Sequence, residues 1–233
     1  MLNLSTVTFD IHCVLKQSHL SLSRAQCSEV IAAYLGYESL AALQSEEADD
    51  FLDTHFADAE FIVLNVKSGI HRLQILAREN ISDVLSDKVT VQMVRSLSTL
   101  DDNCKVFTSI DDFYFEYAHE QLCQAIIFSD DWGVATSELN AEFSDYPEMN
   151  EKYAFSGDLW KAREEWSLEA QGSATGSYGD SDRFYNGHKI DCWGKLVFIK
   201  AGRAGLILTD SDVSAGSSDE DWRDQDDWAE IDQ

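Results

Sequence analysis

SLSRAQCSEVIAAYLGYESLAALQSE, residues 21–46, reads as a capped helix, a tight stop and a second short helix. Ser23 with Gln26 three residues on is a capping box: the Ser oxygen takes a first-turn N–H, and the Gln side chain reaches back to the cap N–H. Leu22, just before the cap, is placed to staple onto Cys27. Cys27, Val30, Ile31, Tyr34 and Leu35 then recur as one helical face. Gly36 follows, and Gly is the usual residue past a helix end because it accepts positive φ without steric cost. Leu40, Ala41 and Leu43 begin a short apolar helix. A DNA-reading helix-turn-helix needs cationic or amide side chains on the exposed side of its second helix. Here that side offers Glu38, Ser39, Gln44, Glu46 and Glu47, so a packed helical hairpin is expected instead.

The cap at Ser23, the helix from Ala25 to Leu35, the Gly36–Tyr37 turn and the Ala/Leu helix from Leu40 to Leu43 form a recognisable pattern. It resembles a helical module near the N-terminus of uncharacterised bacterial proteins, some of them labelled glyoxalase-related. The resemblance implies a bacterial origin and a chain that starts with a helix, and it brings no catalytic residues. A glyoxalase would need His and Glu metal ligands spaced across paired βαβββ units, and no such set is present.

Working outward, residues 2–16 fit two periods. Val7, Phe9, Ile11, Cys13 and Leu15 alternate like a strand, while Leu4, Val7, Ile11 and Val14 fit a helix, the form the resembling modules have. Residues 47–59 extend the helical module. Phe61 to Val66 is a short apolar run, strand or helix. Helical spacing returns over 70–77 and over 81–100, with Val84, Leu85, Val91, Val94 and Leu97 in register. Ser109 and Asp112 cap a further helix whose inner face reads Phe115, Ala118, Leu122, Ala125 and Ile126. Another follows with Trp132, Ala135, Leu139 and Phe143 on one side, ended by Asp145–Tyr146–Pro147. After residue 150 the period changes to two: Trp166, Leu168 and Ala170 alternate with polar residues, as in a half-buried strand. Residues 189–200 read as strand, and Ala201 to Gly205 as a hairpin turn returning through Leu206, Ile207 and Leu208. From Asp210 the composition of Ser, Asp and Glu predicts disorder. The expected class is therefore α+β: an N-terminal helical module over 1–59, a central helical region over 60–149, a small antiparallel sheet over 150–209 and an acidic disordered tail over 210–233.

The net charge of −26 is the dominant bulk property, and residues 210–233 contribute ten acidic residues against one Arg. Such a surface repels nucleic acid and anionic membrane and attracts a basic partner. An apolar content of 44% in 233 residues is enough for a sizeable core. Cys13, Cys27, Cys104, Cys123 and Cys192 are odd in number and contain no C-x-x-C, which predicts free thiols in a reducing cytoplasm. No signal peptide and no membrane span are evident.

Candidate sites are few. Glu116 and His119 form one E-x-x-H, but a di-iron bundle needs a second copy and two more inward Glu. His188 and Cys192 supply two of the four ligands zinc requires. Residues 172–187, GSATGSYGDSDRFYNG, match no nucleotide-binding glycine pattern; Asp180, Asp182, Arg183, Tyr185 and His188 make a possible loop site. In the tail, Trp222, Trp228 and Ile231 stand among Asp219, Asp221, Asp224, Asp226 and Asp227, a composition that can fold into a basic apolar groove. The expected function is a non-enzymatic interaction protein (an inhibitor, immunity or regulatory factor) that uses those tail residues on a basic protein, in its sharpest form by mimicking nucleic acid. The alternatives are an enzyme sited around 180–188 and a structural subunit of a larger assembly. No metal and no cofactor are expected.

Overall fold

A computed structural model describes residues 4–100, 103–139, 141–143, 146–177 and 189–218. They form two units, each built from separated stretches of chain. The first takes its residues from 1–114, 157–166 and 198–209; the second holds the described residues of 115–156, 167–197 and 210–233. The fold is α+β. Its six strands are β1 (Phe61–Val63), β2 (Lys105–Phe107), β3 (Glu148–Phe155), β4 (Glu165–Thr175), β5 (Lys189–Ala201) and β6 (Gly205–Ser217), hydrogen-bonded in the order β2-β1-β6-β5-β4-β3.

In the first unit, α1 (Ser5–Gln17), α2 (Arg24–Tyr34), α3 (Leu40–Glu47), α4 (Val66–Ala77) and α5 (Asp83–Ser98) share one hydrophobic cluster. From Ser5 on, the helix prevails over the strand that residues 2–16 also allowed: Val7 and Ile11 are fully buried, while Phe9, inward in a strand, is 50% exposed. The capping box of α2 is complete, with Gln26 N–H donating to Ser23 Oγ at 3.3 Å and Ser23 N–H to Gln26 Oε1 at 2.9 Å. At its other end Gly36 has φ +83°, Tyr37 N–H donates to the Ala32 carbonyl and Gly36 N–H to that of Ala33, which is a Schellman stop. A Cβ on Gly36 would also lie 2.8 Å from Trp160 Cδ1, so both backbone and packing require glycine there. Gly69 lets α4 close onto α2, directly against the Tyr34 ring.

Residues 47–59 do not extend the helical module as expected. α3 ends at Glu47, and only a single 3-10 turn, Phe56–Asp58, precedes β1 (Phe61–Val63). The apolar run at 61 is thus a strand, and with β2 (Lys105–Phe107) it forms a parallel pair inside what the sequence reads as a helical region. β1 pairs antiparallel with β6 (Gly205–Ser217) on its other edge. The spacing over 81–100 gives the right element and part of its inner face, since Leu97 is buried and Leu85 and Val94 pack against the core. Val84 and Val91 are exposed, and the buried stripe is Val89, Met93, Ser96 and Leu97. Ser96 hides that stripe in the sequence; its hydroxyl donates to Asp10 Oδ2 at 2.8 Å and is thereby satisfied while buried. Phe61, Phe107, Phe113, Trp166 and Phe198 complete this unit's core, with Phe113 centred 5.2–6.3 Å from three of its neighbours Phe107, Phe198 and Trp166. Each such ring contributes on the order of 1.5–3 kcal/mol by burial.

The helix after Ser109 is interrupted. α6 (Ile110–Phe113) passes into one π turn, Tyr114–Ala118, and then α7 (His119–Ile127). The π turn holds one residue more than an α turn. Tyr114 therefore takes the inward place that a straight helix assigns to Phe115, which is 54% exposed. Ala118, Leu122 and Ile126 are buried as expected.

The second unit holds α7, α8 (Asp130–Glu138) and β3 (Glu148–Phe155), with Ser167 onward of β4 (Glu165–Thr175) and the opening of β5 (Lys189–Ala201). β3 and β4 pair antiparallel with an irregularity between Met149 and Tyr153. Trp166, Leu168 and Ala170 are buried on alternate positions of β4, as the period of two predicts. The disorder predicted from Asp210 is corrected: β6 runs on through Ser217, and Ser218 N–H donates to the Lys189 carbonyl at 3.0 Å. Composition signals missing apolar burial, but a paired strand satisfies its backbone through the ladder whatever its side chains are.

Candidate functional site

β5 buries every second residue: Ile190, Cys192, Gly194, Leu196 and Phe198, and then Lys200. Among the described residues Lys200 is the one buried side chain with a formal charge, only 3% exposed. Its Nζ donates to the Arg203 carbonyl at 2.7 Å, across the turn it precedes. The Lys200 backbone is clamped on both sides, its N–H donating to the Glu164 carbonyl at 2.9 Å and its carbonyl accepting from Thr54 Oγ1 at 2.7 Å. Gly202 forms the turn at φ +69°, and a Cβ there would meet Tyr37 Oη at 2.8 Å.

Tyr37 ties the turn to α3. Its hydroxyl donates to Glu46 Oε1 at 2.8 Å and accepts from Arg203 N–H at 3.2 Å. The Arg203 guanidinium lies 5.4 Å over the Tyr37 ring and 3.8 Å from Glu46 Oε2. Loss of solvation pulls the Lys200 ammonium down to about 7, partly opposed by the attraction of Glu46. The same loss of solvation pushes the Tyr37 phenol well above its ordinary value, with Glu46 and Glu47 adding to the rise. The phenol thus stays a hydrogen-bond donor at any physiological pH, while the amine changes charge near neutrality.

These groups border an open cleft of about 640 Å³. Glu46, Asp49, Asp53, Glu164 and Glu165 supply its negative charge, against Arg163, Lys200 and Arg203. On the rim stands Phe51, 96% exposed, beside Leu52 at 41%. The loop holds that posture through Asp49, whose Oδ1 accepts from Phe51 N–H at 3.1 Å and whose carbonyl accepts from Leu52 N–H at 3.3 Å. His55 Nε2 lies 3.1 Å from the same carbonyl. An acidic recess with an apolar anchor at its mouth suits a cationic protein surface better than a small anion.

The sites read from sequence fall elsewhere. Asp180, Asp182, Arg183, Tyr185 and His188 lie outside the described residues, as do Asp219, Asp221, Trp222, Asp224, Asp226, Asp227, Trp228 and Ile231. Glu116 is exposed on the π turn and His119 is half-buried at the start of α7, with its Nδ1 4.0 Å from Cys123 Sγ. Cys123 donates instead to the Pro147 carbonyl at 3.2 Å. Burial pushes the Cys192 thiol up to about 11, with the charge of Asp191 adding to the rise. No group of three or more His, Cys, Asp or Glu suited to a metal occurs among the described residues. No helix among them is long and apolar enough to cross a membrane.

The cleft went unread in the sequence, although one signal pointed to it: DDFLD at 49–53 sets an aromatic among carboxylates. Compared with protein families, with curated proteins and with solved structures, the chain finds no match in any of the three.

Proposed function

We propose that this chain is a non-enzymatic interaction protein, bacterial and cytoplasmic, whose partner is a basic protein. The single observation that carries the reading is Phe51, almost wholly exposed between Asp49, Asp50 and Asp53 at the mouth of an acidic cleft. Leaving a Phe in water forgoes about 1.5–3 kcal/mol of burial, which a partner recovers by covering it. Carboxylates around such an anchor steer a cationic surface and disfavour acidic competitors. The tail repeats this chemistry, with Trp222 and Trp228 set among Asp residues. Together they suit an inhibitor or regulatory factor that presents carboxylates where the partner otherwise meets phosphate. Five free thiols support the reducing compartment, and the N-terminal module supports the bacterial origin.

The test is capture from native bacterial lysate at about 50 mM salt, followed by titration of the purified partner. Phe51→Ala combined with Asp49→Asn and Asp53→Asn is expected to weaken that partner by tenfold or more. Raising salt to about 200 mM is expected to weaken the parent steeply. A captured partner that is acidic, or whose affinity ignores both the triple variant and the salt, would sink the reading. Loss of binding only when residues 219–233 are removed would move the interface to the tail.

A further inference from the structure

Lys200 lines the acidic cleft, yet the residue is only 3% exposed. Its place is fixed, since its backbone N–H and carbonyl are held by Glu164 and Thr54. Its Nζ donates to the Arg203 carbonyl at 2.7 Å and makes no other hydrogen bond among the described residues. An ammonium has three donors, so this one is both short of partners and short of water. The charged groups around it come from several elements. α3 brings Glu46, opposite in sign. The hairpin turn brings Arg203, which lies 3.8 Å from Glu46 Oε2 and competes for that carboxylate. The loop after α3 brings Asp49 and Asp53, with His55 beside the Asp49 carbonyl. The run into β4 brings Arg163, Glu164 and Glu165. Tyr37 stays neutral, because loss of solvation pushes its phenol up.

Loss of solvation already weakens the hold of Lys200 on its proton, down to about 7, with Glu46 opposing. A cation that settles in the cleft adds to this in two ways. Its charge repels the ammonium, and its bulk displaces water that solvates the charged form. Neither effect requires contact with Nζ. We propose that a cationic occupant of this cleft binds with release of the Lys200 proton to solvent, so that the cleft holds basic partners more tightly above neutral pH than below it. This linkage rests on the interaction reading and adds to it how the site is regulated. At low pH the occupant meets an ammonium, and at high pH a neutral amine. Affinity climbs only between the Lys200 midpoint of the occupied cleft and that of the empty one. The climb therefore ends near 7, the midpoint of the empty cleft.

The test uses the full chain and a hexa-arginine peptide at about 50 mM salt, where charge acts over more than about 10 Å. The Lys200 Cε chemical shift, assigned by its absence from Lys200→Met, is followed between about pH 5 and about pH 9 with and without peptide. The peptide is expected to move amide shifts at Phe51, Leu52 and Thr54 and to lower the Lys200 midpoint by about one pH unit. Between about pH 5.5 and about pH 7.5 its affinity for the parent is expected to rise about tenfold more than its affinity for Lys200→Met. His55 and the carboxylates are common to both chains and cancel in that comparison. If the variant fails to fold, through-bond assignment of the parent supplies the Cε signal and its midpoint decides alone. Shifts at the cleft with the Lys200 midpoint unmoved or raised would overturn the proposal and leave the interaction reading standing. Shifts scattered over the acidic surface with none at the cleft would overturn both.

Discussion

Lys200 sits where a hydrophobic residue would be the cheaper choice. The unfolded chain keeps that proton up to the ordinary lysine value of 10.5, while the native chain loses it near 7. Below 7 both states are protonated and the native state bears the whole cost of an ammonium with 3% exposure. Between 7 and 10.5 the unfolded state binds the extra proton, so Lys200 makes stability rise with pH, by at most ~1.4 kcal/mol per pH unit. Lys200→Met should therefore be more stable than the parent at pH 7, by on the order of 1–3 kcal/mol. The advantage should shrink as pH approaches 10, because the parent has by then shed its buried charge. Urea unfolding of both chains at pH 7, 8.5 and 10 measures this, and taking the difference removes the titrations the two chains share. A constant difference across that range would show that Lys200 stays charged in the fold. The inward position was masked in the sequence, where Leu196 to Ile199 are apolar on both faces of the strand, and its chemistry was not legible either. Only its burial in the assembled fold, which strips the solvation of the ammonium and which the charge of Glu46 opposes in part, turns that lysine into a group that titrates near neutrality.

Among the elements, those whose ends carry local chemistry were the most legible. The Ser23–Gln26 box, the Gly36 stop and the Ser109 cap all act within one turn of chain, and all three form. Faces were harder to read. The π turn at Tyr114–Ala118 rotates one helix against its own pattern, and the buried Ser96 disguises the stripe of α5. β6 was the hardest, because its second half has almost no apolar signal. Half of that strand lies beyond Thr209, where the sequence alone would cut off an acidic tail. A chain ending at Thr209 removes the partner of the Lys189 carbonyl and the ladder positions from Asp210 to Ser217. It should unfold at a clearly lower temperature than the full chain, by several degrees or more. A chain ending at Ser218 keeps the strand and should match the full chain within a degree or two. Circular dichroism melts of the three lengths decide it. A Thr209-ended chain as stable as the other two would mean that the end of β6 adds nothing. Interaction experiments that truncate the tail therefore need the Ser218 boundary, or lost folding will be read as lost binding.

At the scale of the whole molecule, charge is the property the sequence states most plainly and the fold does least to neutralise. Three ion pairs occur among the described residues, and two of them are on side chains more than 40% exposed. Exposed pairs of that kind contribute ~0–1 kcal/mol. The net charge of −26 is thus largely uncompensated within the chain, and mutual repulsion works against the compact state. Screening should relieve it. Raising sodium chloride from about 10 to about 150 mM shortens the reach of each charge from about 30 to about 8 Å. The thermal midpoint of the full chain should rise over that range by several degrees. Residues 219–233 carry eight acidic residues and one Arg, and a chain ending at Ser218 should gain less from the same salt. The captured basic partner should do for the full chain what salt does, raising its midpoint at low salt and adding progressively less as salt increases. Scanning calorimetry of the two chains, with and without partner, resolves these effects. A midpoint indifferent to salt in both chains would show that the carboxylates are too dispersed to repel one another. The acidic surface would then be a matter of solubility rather than of recognition.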